Sequence, residues 1–306
     1  MSATTGRLSP AIDGESITSR RWTTDDAYGY CETLARAHYE NFPVGSFLVP
    51  RKLRKHFYSI YAFARIADDF ADEGYGEGYG EEERLEWMAR WLEKLRASFA
   101  GQADHPVFIA LAHTAAQFDL PRSLFEDLLS AFSQDVTCRG YETVSDLMDY
   151  CRRSADPIGR LLLLLFGYKD EEMHRWSDCI CTGLQLANHW QDVAVDWQKG
   201  RVYLPHEDLA EFGLTTADLD RGIATGGFRR LMEFEVARAR QLMVNGKPLC
   251  AAVGGRLALE LRAIWLGGMK ILERIQKNEY DVFLRRPTIT SADKFGILYR
   301  SMTGRL

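Results

Sequence analysis

Apolar and polar residues recur with helical periodicity along almost the whole chain. Periodic blocks cover 24–41, 51–73, 81–99, 106–117, 121–137, 143–153, 157–168, 170–198, 227–246 and 254–278, with a shorter block at 290–302. Proline punctuates them: Pro50, Pro106, Pro121, Pro157 and Pro205 stand at first-turn or pre-helix positions, where the missing N–H has no helical partner to lose. No set of segments alternates with the period of two that strands need. The pattern predicts an all-α fold, a helical bundle in one domain over 23–306, preceded by a flexible lead-in, 1–22. The most apolar run, Leu161 to Phe166, is too short to cross a bilayer and predicts a helix buried on all sides.

Charge and cysteine content narrow the class. The net charge is −5 and the pI about 5.9, so the chain carries no electrostatic footprint for nucleic acid. Nor does that balance suit a surface held to anionic lipid by charge alone. The apolar fraction, 46%, is enough for a sizeable core. Six scattered cysteines form no Cys-x-x-Cys pair and read as reduced, mostly packed thiols of a cytosolic protein. The seven histidines form no His-Glu-x-x-His group, so zinc is not expected; His189 reads as a packed or capped histidine. The N-terminal stretch has no apolar core of the secretory type.

Two acidic stripes stand out. In "YAFARIADDFADE", Tyr61, Arg65, Asp68 and Asp72 share one helix face, with Asp69 and Glu73 beside it. In "LQLANHWQDVAVD", Gln185, Asn188, Asp192 and Asp196 fall within an arc of roughly 80°. Like charges one turn apart destabilise a helix, and both segments are otherwise apolar, so the stripes need partners. Divalent cations would supply them: Mg²⁺ takes carboxylate and amide oxygens and keeps positions open for phosphate. Two such helices facing each other would form an acidic, metal-loaded cavity. Arg65, Lys199 and Arg201, at the edges of the stripes, could then hold phosphate oxygens that the metal leaves charged.

Other features add less. Tyr75 to Gly80, a short glycine-rich repeat, follows a helix and lacks the Lys-Ser/Thr of a phosphate loop, so it reads as a flexible connection. "EEERLEWMARWLEKL" is an amphipathic helix whose Trp87 and Trp91 read as core.

Taken together, these segments resemble the squalene/phytoene synthase family of all-α isoprenoid synthases, over about His38 to Arg286. "DDFAD" is similar to its first aspartate motif and "QLANHWQDVAVD" to its second. "GRVYLP", "DYCRRSADPIG" and "YDVFLRR" match further family segments. The resemblance implies Mg²⁺, with Mn²⁺ as a substitute, held by Asp68, Asp72, Asn188, Asp192 and Asp196. It implies diphosphate contacts from His38, Arg65, Lys199, Arg201 and Tyr203. Tyr61, Tyr150 and Gln185 would line the reaction centre, and Leu161–Phe166 would help wall an apolar tunnel for prenyl chains.

Two positions depart from the usual family pattern. "HYENFPVGS", His38 to Ser46, places Glu40 and Asn41 where a lysine and serine are usual, and Gln191 stands where arginine is usual. Both changes remove positive charge, which suits an enzyme that ionises one diphosphate rather than joining two. "ENFPV" and "QDVAVDW" resemble the hydroxysqualene synthase branch of bacterial hopanoid biosynthesis. That resemblance implies presqualene diphosphate as substrate, hydroxysqualene as product, and no nicotinamide cofactor. It also implies two pathway partners, a presqualene diphosphate synthase and a flavin-dependent hydroxysqualene dehydroxylase. The expected location is cytoplasmic; a water-insoluble product leaves peripheral contact with the inner membrane open, although no basic amphipathic helix stands out. Two alternatives remain at this point: condensation of two farnesyl or geranylgeranyl diphosphates, and a catalytically silent scaffold.

Overall fold

The computed structural model describes residues 21–37, 49–76 and 78–306, with the side chains of 72–76 excepted. The lead-in up to Arg20 and the segment His38–Phe47 with Leu48, which holds the expected contact His38, lie outside the described residues. Among the described residues, thirteen α-helices and one 3₁₀ turn make up the regular structure, and no strand occurs. They are α1 Thr24–Ala37, α2 Arg51–Gly76, α3 Glu81–Phe99, α4 Pro106–Phe118, α5 Arg122–Thr137, α6 Val144–Ser154, α7 Asp156–Leu165, α8 Glu171–Gln198, α9 His206–Glu211, α10 Gly226–Gly246, α11 Leu249–Ala252, α12 Gly255–Lys277 and α13 Ser291–Thr303. The 3₁₀ turn is Thr216–Arg221.

The periodicity therefore located the long helices. Their starts have the expected chemistry: Asp170 accepts from the amides of Glu172 and Met173, and Thr143 forms a capping box with Asp146. The glycine-rich repeat is a looser match, because α2 runs on through Tyr75 to Gly76 before the chain turns at Gly78.

The helices group into two compact units, α1–α5 and α6–α13, the second including Val49. Composition marks no boundary between them. In the first unit, α1 and α4 pack on α2, and α3 packs on α5. Its core is aromatic: Trp91 is fully buried, 4.4 Å from the Phe108 ring and 6.2 Å from Phe63. Trp91 Nε1 donates to the Phe63 carbonyl, so the expected core role of that helix holds.

In the second unit α8 is the central helix, packing chiefly on α10 and also on α7, α12 and α6. Gly246 sets the closeness of α8 to α10: a Cβ there would lie 2.6 Å from the Trp176 carbonyl oxygen. The Leu161 run is buried on most but not all sides: Leu161, Leu163, Leu164 and Leu165 are buried in α7, whereas Leu162 and Phe166 are half-buried and Ile158 is exposed; no described helix is long and apolar enough to cross a membrane. All six cysteines are free.

A buried hydrogen bond ties α7 to α8: Thr182 Oγ1 donates to Asp156 Oδ1 at 2.8 Å. Burial first, and the nearby Asp178 second, push the Asp156 carboxyl up to about 7. Folding therefore favours the protonated form, and its contribution is lost as pH rises from about 4 through about 7. Asp156→Asn should flatten that part of a stability-versus-pH curve measured by urea unfolding. A slope unchanged in the variant would show that Asp156 is ionised in the fold.

Candidate active site

The first aspartate motif lies on α2. Arg65 pairs there with Asp69 and reaches Asp68 at 3.4 Å, so the guanidinium is divided between neighbouring carboxylates. Tyr61 lies one turn back; burial raises its hydroxyl pKa, and the Asp68 and Asp69 charges add to the rise while Arg65 opposes it. The helix thus brings Tyr61, Arg65 and Asp68 onto one face, as expected, and adds Asp69 as the main partner of Arg65. The backbone of Asp72 continues α2; its side chain lies outside the described part.

The second motif lies near the C-terminal end of α8. Asn188 is exposed, whereas Gln185, Asp192 and Asp196 are half-buried. The stripe is therefore an accessible face of a core helix, not the fully buried face that its apolar flanks suggested. Trp190, fully buried, anchors the opposite side by donating from Nε1 to the Glu235 carbonyl at 3.1 Å.

The helix ends in a turn that shapes the site. Gly200 adopts φ +72°, and the amides of Lys199 and Arg201 both donate to the Asp196 carbonyl, at 3.0 and 2.9 Å. A residue with a Cβ would be strained at position 200. This turn folds Lys199 and Arg201 back toward the Asp196 side chain. Burial first and the Asp192 charge second push the Asp196 carboxyl up to about 6, while Lys199, Arg201 and Arg286 pull it down.

Arg286 was not among the residues expected from sequence. It forms a two-pronged ion pair with Asp192, Nη2 to Oδ2 at 2.9 Å and Nε to Oδ1. The "YDVFLRR" segment delivers it. Glu279 and Tyr280 take left-handed backbone conformations, Asp281 accepts from the Phe283 and Leu284 amides, and Arg229 braces Asp281 at 3.3 Å. Gln191 fastens the same segment by donating from Nε2 to the Pro287 carbonyl at 2.5 Å. The glutamine that removes one positive charge thus latches a segment that brings another.

A second group collects around "GRVYLP". Backbone bonds from Val202 to the Arg139 carbonyl and from His206 to the Tyr141 carbonyl dock this strap on residues 139–142. Tyr203 then lies 5.9 Å from the Tyr141 ring, 6.2 Å from Tyr150 and 3.6 Å from His189, on which it stacks. The structure thus joins the expected Tyr150 and Tyr203, and adds Tyr141. His189 is packed, as expected; burial pushes its imidazole down to about 3, so it is neutral. The motifs containing Tyr150 and Tyr203 marked this cluster in the sequence, and Tyr141 carried no such mark.

The donor set fits a divalent cation. Hard Mg²⁺ is held by one or two carboxylates and completes its shell with water and phosphate. Asp192 and Asp196 offer two carboxylates one turn apart, with the half-buried Asp196 destabilised by its like-charged neighbour in a way that a cation would relieve. Among the described residues no three acidic, His or Cys side chains converge into a closed cage.

Comparison with known proteins agrees with this chemistry. The family model described as squalene/phytoene synthase matches residues 35–293. A hydroxysqualene synthase of Zymomonas mobilis is 32% identical over 87% of this chain and 88% of its own length. A phytoene synthase of Arthrospira platensis is 30% identical, with 89% and 91% covered. The crystal structure of squalene synthase HpnC from Alicyclobacillus acidocaldarius superposes with a TM-score of 0.80 at 43% identity, covering 89% of this chain and 99% of that one. A dehydrosqualene synthase, 23% identical with the same TM-score, shares the fold.

Proposed function

Because the chain belongs to the squalene/phytoene synthase family, and therefore works on prenyl diphosphates, we propose that it is a Mg²⁺-dependent hydroxysqualene synthase. Residues 23–306 act as one catalytic domain in this reading. The observation that carries it is the group of Lys199, Arg201 and Arg286 acting on the Asp192–Asp196 end of α8, a carboxylate pair edged with cations. Such a pair suits a metal-bound anion better than a free carboxylate ligand.

Asp68, Asp72, Asn188, Asp192 and Asp196 would hold Mg²⁺. When bound there, the metal supplies the positive charge that turns diphosphate into a leaving group. Lys199, Arg201, Tyr203 and, from α2, Arg65 bind the remaining phosphate oxygens, with His38 as a further contact. Arg286 can move from Asp192 to phosphate, because both are bidentate acceptors. Departure of diphosphate leaves a cyclopropylcarbinyl cation. Tyr150, with Tyr61 and Gln185, lines its pocket, and tyrosine ring faces stabilise positive charge. Leu161–Phe166 help form the apolar wall that restricts water. The ring opens toward the squalene skeleton, and one water adds its oxygen to the allylic cation and loses a proton to the departed diphosphate.

No nicotinamide enters this scheme. The purified protein with Mg²⁺ and presqualene diphosphate, without NADPH, should give hydroxysqualene and diphosphate. Diphosphate release without that alcohol would retain the family chemistry and reject this product.

The second reading is condensation of two prenyl diphosphates. It is favoured by Arg286, which returns a cation to the neighbourhood where Gln191 omits one. Product formation from farnesyl or geranylgeranyl diphosphate alone would select it. In the first reading, partner enzymes supply presqualene diphosphate and consume hydroxysqualene.

A further inference from the structure

Helix α13 presents an apolar stripe to solvent. Phe295, Leu298, Tyr299 and Met302 are 75%, 52%, 61% and 69% exposed. At about 100° per residue they share an arc of roughly 100°. Four of the ten large apolar side chains exposed among the described residues thus fall on one helix of 13 residues. Scattered exposed apolar residues are ordinary, but a contiguous stripe marks an interaction surface.

The helix is firmly held from behind. Thr290 and Asp293 form a capping box at its start, Asp293 pairs with Arg274 at 2.5 Å, and α13 packs on α12. Ser301, on the inward side, is fully buried. The stripe is therefore not a core face awaiting a missing partner within this packing.

Charge identifies what covers it. Lys294 flanks the stripe on one edge; Arg300, also exposed, lies about 100° beyond Tyr299, on the side of the helix that carries Asp293. Asp293, the helix's single acid, is already engaged by Arg274 and by Lys270 at 3.6 Å. Beside the helix a cavity of about 570 Å³ is lined by Trp265, Leu266 and Met269, with Arg240, Lys247, Lys270 and Arg300 on its wall beside the acids Glu273 and Asp293. Apolar side chains bordered by a cation suit an acyl–headgroup boundary: the chains enter the apolar layer and the cation meets lipid phosphate. A second copy pressed against the same stripe would bring Lys294 toward its own counterpart.

We propose that α13 docks this protein on the surface of an anionic phospholipid bilayer, with Lys294 beside the apolar stripe meeting headgroup phosphate. The overall acidity of the chain does not oppose this, because Lys294 acts locally. The contact is peripheral, and its strength should fall with salt as the electrostatic part is screened.

Vesicle sedimentation tests it without reference to the reaction. The full chain should co-sediment with phosphatidylcholine vesicles containing phosphatidylglycerol, and less with phosphatidylcholine alone. Phe295→Glu combined with Leu298→Glu should weaken binding about tenfold or more, because both side chains are inserted. These solvent-facing changes should leave circular dichroism and diphosphate release from substrate in detergent unchanged. Lys294→Ala should weaken binding chiefly to the anionic vesicles. Failure of the wild-type chain to sediment, or equal binding by the Glu double variant, would overturn the proposal. A dimer in analytical ultracentrifugation that the Glu substitutions convert to monomer would also overturn it, by giving the face to a second copy. Failure of the hydroxysqualene assay would leave these readouts untouched.

Discussion

Asp192→Asn should lower diphosphate release from presqualene diphosphate by about 10³-fold, the scale on which loss of one preorganised electrostatic group acts. The same substitution should leave helical circular dichroism intact. Its side chain is 24% exposed, and that of its Arg286 partner 50%. An ion pair that accessible contributes under about 1 kcal/mol to folding. α8 is held by other groups: the Asp170 cap, the fully buried Trp190 and the close approach at Gly246. Activity and stability should therefore separate in this variant. Asp196→Asn should behave alike. Asp68→Asn on α2 should match them if both motifs serve one diphosphate. A variant that keeps turnover within about tenfold of wild type would leave Asp192 a partner of Arg286 and nothing more.

That separation also explains what the sequence could show. Long helices were legible because their apolar period extends over many turns and because Thr143, Asp170 and the prolines mark their starts. The short helices α9 and α11 and the 3₁₀ turn at Thr216–Arg221 were not, since four to six residues carry too little periodicity. The acidic stripe on α8 was legible as one face, but its exposure was not. Apolar neighbours suggested burial, whereas packing on α10 and α7 leaves this side accessible.

Arg286 was hidden for a different reason. Ninety-four residues separate it from Asp192, and its arrival depends on two left-handed residues, a braced aspartate and the Gln191 latch. Position 191 read alone suggested only lost charge. Tyr141 was hidden similarly, because a strap of backbone bonds brings it beside Tyr203. The exposure of the α13 stripe was hidden as well, because Phe295, Leu298, Tyr299 and Met302 read as a core face until the packing shows them pointing outward.

Arg238→Ala should cause the largest loss of stability, about 3–5 kcal/mol, the range for breaking a buried ion pair by removing one partner. Arg238 on α10 lies between Glu235, fully buried, and Asp208, 4% exposed. Its Nη1 reaches Glu235 Oε2 at 2.8 Å and Asp208 Oδ2 at 2.7 Å. Without it two neighbouring carboxyl groups remain in the core. Burial first, and then Asp208, already push the Glu235 carboxyl up to about 9 against the opposing pull of Arg238. The folded form therefore binds a proton that the unfolded chain releases near its ordinary 4.5. Stability contributed by that proton is present at low pH and is lost as pH rises toward about 9. Removing Arg238 raises the Glu235 carboxyl further, so wild type and Arg238→Ala should lose stability through Glu235 alike up to about pH 9, and the deficit of the variant should grow above it. Glu235→Gln in the same background should recover much of it, since an amide carries no charge to bury. Urea unfolding at several pH values reads both effects. A deficit under about 1 kcal/mol, or one that shrinks as pH rises, would mean that water reaches this cluster and that α10 is not held by it.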